Sequence, residues 1–129
     1  MARDSAEMNT KKVVIHGVKK IYQGASGDVV ALNGVDLEIR DNEFICVVGP
    51  SGCGKSTLLN ILAGLDKQTE GEVLVDNRPV NGPSGERGVV FQQYALFPWL
   101  TVRKNIAFGL HNKQLPQQEI DRLVEKYVR

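Results

Sequence analysis

Phe44-Ile45-Cys46-Val47-Val48 runs through Gly49-Pro50-Ser51-Gly52-Cys53-Gly54-Lys55-Ser56-Thr57 into Leu58-Leu59-Asn60-Ile61-Leu62-Ala63. Five apolar residues predict a buried strand, the glycine-rich nonapeptide a loop, and the leucine-rich run a helix. Strand, loop and helix in that order are the context a phosphate-binding P-loop requires. Gly49, Gly54, Lys55 and Ser56 occupy every defined position of its pattern. Gly49, Gly52 and Gly54 open backbone conformations closed to residues with a Cβ, so successive N–H groups can converge on one anion. The positive end of the following helix dipole adds to them. Lys55 supplies a mobile charge for the β and γ phosphates and Ser56 a hydroxyl for Mg²⁺, with Thr57 offering another hydroxyl.

Composition sets the outer limits. With 129 residues, 42% hydrophobic and 24% charged, the chain has room for one globular domain and is marginal for several layers. Sixteen basic residues against fifteen acidic ones leave a net charge of +1, and no run concentrates lysine and arginine, so nucleic acid is not expected as the ligand. The longest apolar runs are a few residues long, far below the ~20 that cross a bilayer. Met1 to Glu7 carries no apolar core of a secretory signal, and the expected location is the cytoplasm. Cys46 falls in the expected buried strand and Cys53 in the loop, positions that suit packing and ligand contact better than a disulfide.

Outward from the loop, Lys12 to Val18 reads as a first strand. Val35 to Arg40 alternates at period two, as a half-buried antiparallel strand does. Asn33-Gly34 and Arg40-Asp41-Asn42-Glu43 are both turn candidates, and the second is favoured as a hairpin into Phe44–Val48. The helix after the loop carries Leu58, Leu59, Ile61, Leu62 and Leu65 over most of its circumference, predicting a buried helix that ends near Gly64. Glu72 to Asp76 and Gly88 to Phe91 read as further strands, the latter covered on both faces. Thr101 is a fitting N-cap for a helix over Val102 to Leu110. Pro116 opens a last helix with Ile120, Leu123, Val124 and Tyr127 on one stripe.

In this order the residues resemble the nucleotide-binding domains of ATP-binding cassette transporters, from about Lys12 to the end of the chain. Tyr22 stands where that family has an aromatic that stacks on adenine. Gly49 to Thr57 resembles its Walker A loop, and Val90-Phe91-Gln92 the strand entering its Q-loop. Tyr94-Ala95-Leu96-Phe97-Pro98-Trp99-Leu100-Thr101-Val102 with Asn105 to Leu110 is similar to importer-type members, and Pro98-Trp99-Leu100 is most like importers of nitrate, sulfonate and taurine. The resemblance implies an α/β P-loop NTPase core with an N-terminal antiparallel β subdomain and the start of a helical subdomain. It divides the chain into a polar leader over 1–11, a β and Walker A core over about 12–92, and the Q-loop and helical start over about 92–129.

It further implies ATP and Mg²⁺ as ligands, bound by Tyr22, Gly49, Pro50, Ser51, Gly52, Cys53, Gly54, Lys55, Ser56, Thr57 and Gln92, with Ser56 and Gln92 at the metal. The Gln92 amide suits metal and water together, offering one acceptor and two donors. Implied partners are a transmembrane permease subunit, whose short helix docks on the apolar tract Ala95 to Leu100, and a second nucleotide-binding domain. The implied location is the inner face of the cell membrane. The tract also reads as local core.

The family's signature loop, Walker B aspartate, catalytic glutamate and switch histidine have no counterpart among these residues, so no complete catalytic set is expected and Lys55 and Gln92 only contribute. His16 and His111 stand too early for the switch. The later parallel strands have no counterpart either, and uncovered apolar edges are expected to make the chain prone to aggregate. Two other readings stand beside importer ATPase. One is a different P-loop enzyme, a GTPase or small-molecule kinase, although Asn112-Lys113-Gln114-Leu115 offers no aspartate to a guanine base. The other is a part that binds nucleotide or a membrane subunit without turnover.

Overall fold

The computed structural model describes residues 11–93 and 95–128; the expected leader, apart from Lys11, and Tyr94 of the importer-type stretch lie outside them. The order of elements is β1 (Lys11–Tyr22), β2 (Val29–Arg40), α1 (Lys55–Ala63), β3 (Glu70–Val75), β4 (Arg78–Pro79), α2 (Val102–His111) and α3 (Gln117–Val128). Two compact units divide between Val89 and Val90.

The first unit is built on an antiparallel sheet of order β2-β1-β3-β4. β1 and β2 run longer than expected, pairing from Lys11↔Arg40 to Tyr22↔Val29, so the hairpin turns at Gln23–Asp28. Asn33-Gly34, a turn candidate by sequence, lies inside β2. Register shifts between Ile15 and Val18 mark a bulge that brings these residues, three apart, onto the same core face. β3 and β4 are joined by Asp76-Asn77, both at positive φ (50° and 59°), the backbone a two-residue type I′ hairpin demands.

One face of the sheet and α1 share the core: Ile15, Val18, Leu32, Leu58, Ile61, Val73 and Val80. α1 starts at Lys55 and ends against Gly64, as its sequence predicts. It is not buried all round, however, since Leu59 is exposed while Leu58, Ile61 and Ala63 are covered, and Leu65, expected on the same helix, lies exposed beyond its end. A nine-residue helix touching one sheet face has only one side to bury.

Three expectations fail together. Phe44–Val48 and Gly88–Phe91 form no strand, the turn at Asp41-Asn42 leads into no hairpin partner, and Cys46 is exposed. A parallel-type apolar strand needs neighbours to satisfy its amides and cover both its faces. Among the described residues the strands pair only within the antiparallel sheet, so Phe44 is 93% exposed and Val90 99%.

In the second unit, α2 and α3 pack through Ala107, Ile120 and Val124, with Ile106, Leu110 and Leu115 around them. Thr101 caps α2, its hydroxyl accepting from the Lys104 amide at 3.3 Å. Of the predicted α3 stripe, Ile120 and Val124 are buried and Tyr127 is exposed.

Ile61 is 1% exposed at the centre of the first core. Ile61→Ala is predicted to cost about 2–5 kcal/mol of unfolding free energy in urea titration. A loss below about 0.5 kcal/mol would show that α1 is not held by this cluster.

Candidate functional site

The site begins at the start of α1. Gly54 holds φ 95° as the residue before the helix, a left-handed conformation that L side chains avoid. A Cβ there would also run into the carbonyl oxygen of Ala31 and lie 2.8 Å from Leu32 Cδ2. The loop is thus pressed against β2 at a point only glycine tolerates. Leu58 N–H donates to Gly54 C=O at 2.9 Å, closing the first turn, and no described side chain caps that end.

The first-turn amides of Lys55, Ser56 and Thr57 therefore have no capping side-chain acceptor, and no acid occupies the first turn. That end of α1 carries a positive partial charge with no local counter-charge. Lys55 Nζ folds back over the same loop, donating to the carbonyl oxygens of Gly49 (2.8 Å) and Pro50 (2.7 Å) and lying 3.4 Å from Cys53 Sγ. The chain of Gly49 to Thr57 thus gathers main-chain donors and one ammonium around a single mouth, with Ser51, Gly52 and Cys53 exposed along its rim. This donor set fits the phosphates of a nucleotide. The exposed Ser56 hydroxyl fits a hard cation whose other ligands come from phosphate and water.

Tyr22 belongs to the same unit. It pairs with Val29, two residues along β2 from the Ala31 that touches Gly54, a strand distance of about 7 Å. Its hydroxyl donates to Asp66 Oδ2 at 2.7 Å, and Lys20 Nζ lies 4.8 Å from its ring centroid. Lys20 also donates to Asp66 Oδ1 at 2.5 Å and to Lys67 C=O at 2.7 Å. The Lys20 hydrogen bond first, and then that of Tyr22, hold the Asp66 carboxyl below the usual carboxylate range. Sequence reading missed Lys20 and Asp66. The only trace is an acid two residues past the Gly64 that ends α1, too common a pattern to stand out.

Gln92 lies in the second unit, exposed in a bend directly after Phe91. Beyond it, Asn105 on α2 binds the loop before its own helix: its Oδ1 accepts from Phe97 N–H at 2.8 Å, and its Nδ2 donates to the carbonyls of Phe97, Leu100 and Thr101. Phe97 packs between Trp99 and Phe108, ring centroids 5.4 and 4.5 Å away. The result is a groove of roughly 340 Å³ lined mainly by Leu96, Phe97, Pro98, Leu100, Val102 and Ile106. Among the described residues no helix is long and apolar enough to cross a membrane, and no cluster of three metal-ligating side chains occurs.

Residues 32–128 match the family model described as ABC transporter. The chain is 49% identical over 118 residues to an uncharacterized ABC transporter ATP-binding protein of Methanocaldococcus jannaschii, covering 92% of this chain and 44% of that one. It is 49% identical over 105 residues to the nitrate import ATP-binding protein of Synechocystis sp., covering 81% and 40%. A solved ATP-binding cassette, dimeric in a post-hydrolysis state with ADP and Pi, superposes with a TM-score of 0.77 at 36% identity over 88% of this chain and 54% of that one. The P-loop NTPase fold expected from the sequence is therefore present. The chain spans less than half the length of these two curated relatives.

The lowered pKa of Asp66 sets a pH dependence. A carboxyl whose folded pKa lies below its unfolded value of about 3.9 contributes stability above that value and loses it as pH falls through the folded pKa. Asp66→Asn should therefore lose less stability than the parent chain when the pH is lowered from about 6 to about 3. Superimposable pH profiles in thermal melts would contradict this.

Proposed function

The chain belongs to the ABC transporter family, and on that premise we propose that it is the ATP-binding part of the ATPase subunit of an importer, coupling ATP binding and hydrolysis to the passage of a small solute. One observation carries the reading. Between Val48 and Leu58 the loop ends in a helix N-terminus with no side-chain cap and no acid in its first turn, and the Lys55 ammonium of the same loop is folded onto the Gly49 and Pro50 carbonyls.

In this reading the amides of Gly52 to Thr57 bind the β and γ phosphates, and Lys55 exchanges its carbonyl partners for phosphate oxygens. The Ser56 hydroxyl would hold Mg²⁺, which would supply charge neutralisation between phosphates; for Gln92, in the other unit, a metal-binding role rests on the family resemblance alone. The exposed Tyr22 ring stacks on adenine, contributing roughly 1–3 kcal/mol by the usual magnitude of base stacking on aromatics. Pro50, Ser51 and Cys53 form the rim, and Gly49 lets the apolar segment Phe44–Val48 pass into the loop.

The groove at Leu96 to Ile106 suits a helix of a permease subunit, because its walls are mainly apolar and the same loop carries an exposed Trp99. The whole subunit then works at the inner face of the cell membrane as a pair of nucleotide-binding domains, in keeping with the dimeric cassette it resembles. Nitrate, sulfonate and taurine are the solutes whose importers share wording like Pro98-Trp99-Leu100. The nitrate import relative supports an inorganic or small organic anion.

Lys55→Ala tests the assignment. It should lower MgATP affinity by about 100-fold in calorimetry, roughly the 3 kcal/mol upper range for hydrogen bonds to a charged group, with unchanged circular dichroism. Affinity retained within about twofold would remove the loop from the binding site.

A further inference from the structure

Among the described residues Asp66 is the least exposed of the ion-paired carboxylates, and it also accepts from the Tyr22 hydroxyl. Its side chain is 26% exposed and that of Lys20, which it pairs with, 13%, whereas the other ion pairs of the first unit are open to water. The group is also held from the backbone. Asp66 N–H donates to Asn60 C=O within the cap that ends α1, and Lys67 N–H donates to Asp66 Oδ1 at 2.7 Å. Across from it, Thr69 fastens the end of β1, its amide donating to Lys19 C=O at 2.8 Å and its hydroxyl accepting from Ile21 N–H at 3.0 Å. A carboxylate fixed on both sides therefore meets the Tyr22 hydroxyl, while Lys20 Nζ sits 4.8 Å from the ring centroid.

A tyrosine at a strand end has two free torsions, and an exposed ring samples several rotamers. A hydrogen bond to an ionised acceptor is stronger than a neutral one and fixes the direction of the phenol. Here the acceptor stands at the opposite end of α1 from the phosphate loop. The helix has nine residues, so the two ends are about 14 Å apart. One rigid element thus presents amides and Lys55 at its start and, through Asp66, the ring at its finish.

We propose that Asp66 is a positioning residue for nucleotide binding: together with Lys20 it locks the Tyr22 ring in the orientation that receives the base, using α1 as the spacer between base and phosphate sites. The proposal rests on the reading of Tyr22 as the base-stacking ring. It adds a role for two side chains that do not themselves meet the nucleotide. Because a ring held in advance gives up less rotamer freedom on binding, the effect shows in affinity for the base and not for the phosphates.

The test compares ATP with inorganic tripolyphosphate by calorimetry on the full chain, with Mg²⁺ present. Asp66→Ala and Tyr22→Phe should each weaken ATP by about 3- to 10-fold, a fraction of full stacking, and leave tripolyphosphate unchanged. The double variant should lose no more than either single one, because both remove the same hydrogen bond. Asp66→Asn, which keeps an acceptor, should recover part of the ATP affinity. Tyr22→Ala, removing the ring, should cost about 5- to 100-fold for ATP alone.

Equal losses of ATP and tripolyphosphate in Asp66→Ala would mean a purely structural role and overturn the proposal. So would ATP affinity at the parent level in Tyr22→Phe. If Tyr22→Ala is selective for ATP while Asp66→Ala is silent, the stacking reading stands and the positioning role falls. If Tyr22→Ala is not selective, both fall together.

Discussion

The contact between Gly54 and the Ala31 carbonyl is the constraint from which the rest of the first unit follows. It joins a loop with no ladder of its own to the start of β2, at a residue whose φ of 95° only glycine adopts readily. Once that point is fixed, α1 has to leave the loop in the direction that lays Leu58 and Ile61 on the sheet. The apolar contact then does for the helix what its own length does not, since nine residues are too few to be stable alone. The phosphate mouth is thus held from behind by a core and left open in front.

The other end of the same helix is treated differently. Gly64, at φ 77°, closes α1 against Gly82, and the chain passes at once into Asp66, whose carboxylate gathers Lys20 and Tyr22 from β1. The start of α1 offers unpaired donors, whereas beyond its finish a charge is surrounded by partners. That difference separates a surface built to receive an anion from one built to hold a side chain still. In the second unit Asn105 plays a comparable holding part, satisfying four backbone groups of the loop that carries Phe97, Leu100 and Thr101.

Local signals were the legible ones. The loop, α1 with its Gly64 end, the Thr101 cap and the alternating half of β2 are each decided within a few residues by glycine conformations, capping oxygens or period-two burial. Phe44–Val48 and Gly88–Phe91 were misread because an apolar run reports only that burial is wanted, and whether a strand forms depends on a neighbour elsewhere in the chain. Asn33-Gly34 misled for a similar reason: β1 pairing extends through it, and a register shift absorbs the glycine at φ 74°. The Asp66 cluster left no signature because its three members, 20, 22 and 66, meet only through the tertiary fold.

The account comes down to whether main-chain amides between Val48 and Leu58 take up the nucleotide's phosphates. Two-dimensional amide NMR of the isotopically labelled chain during MgATP titration reads this residue by residue. The amides of Gly52, Gly54, Lys55, Ser56 and Thr57 are predicted to show the largest shifts and to move together with saturation, with those of α3 unmoved. If ATP shifts amides elsewhere in the chain while these five stay in place, the phosphates are bound by something other than this loop.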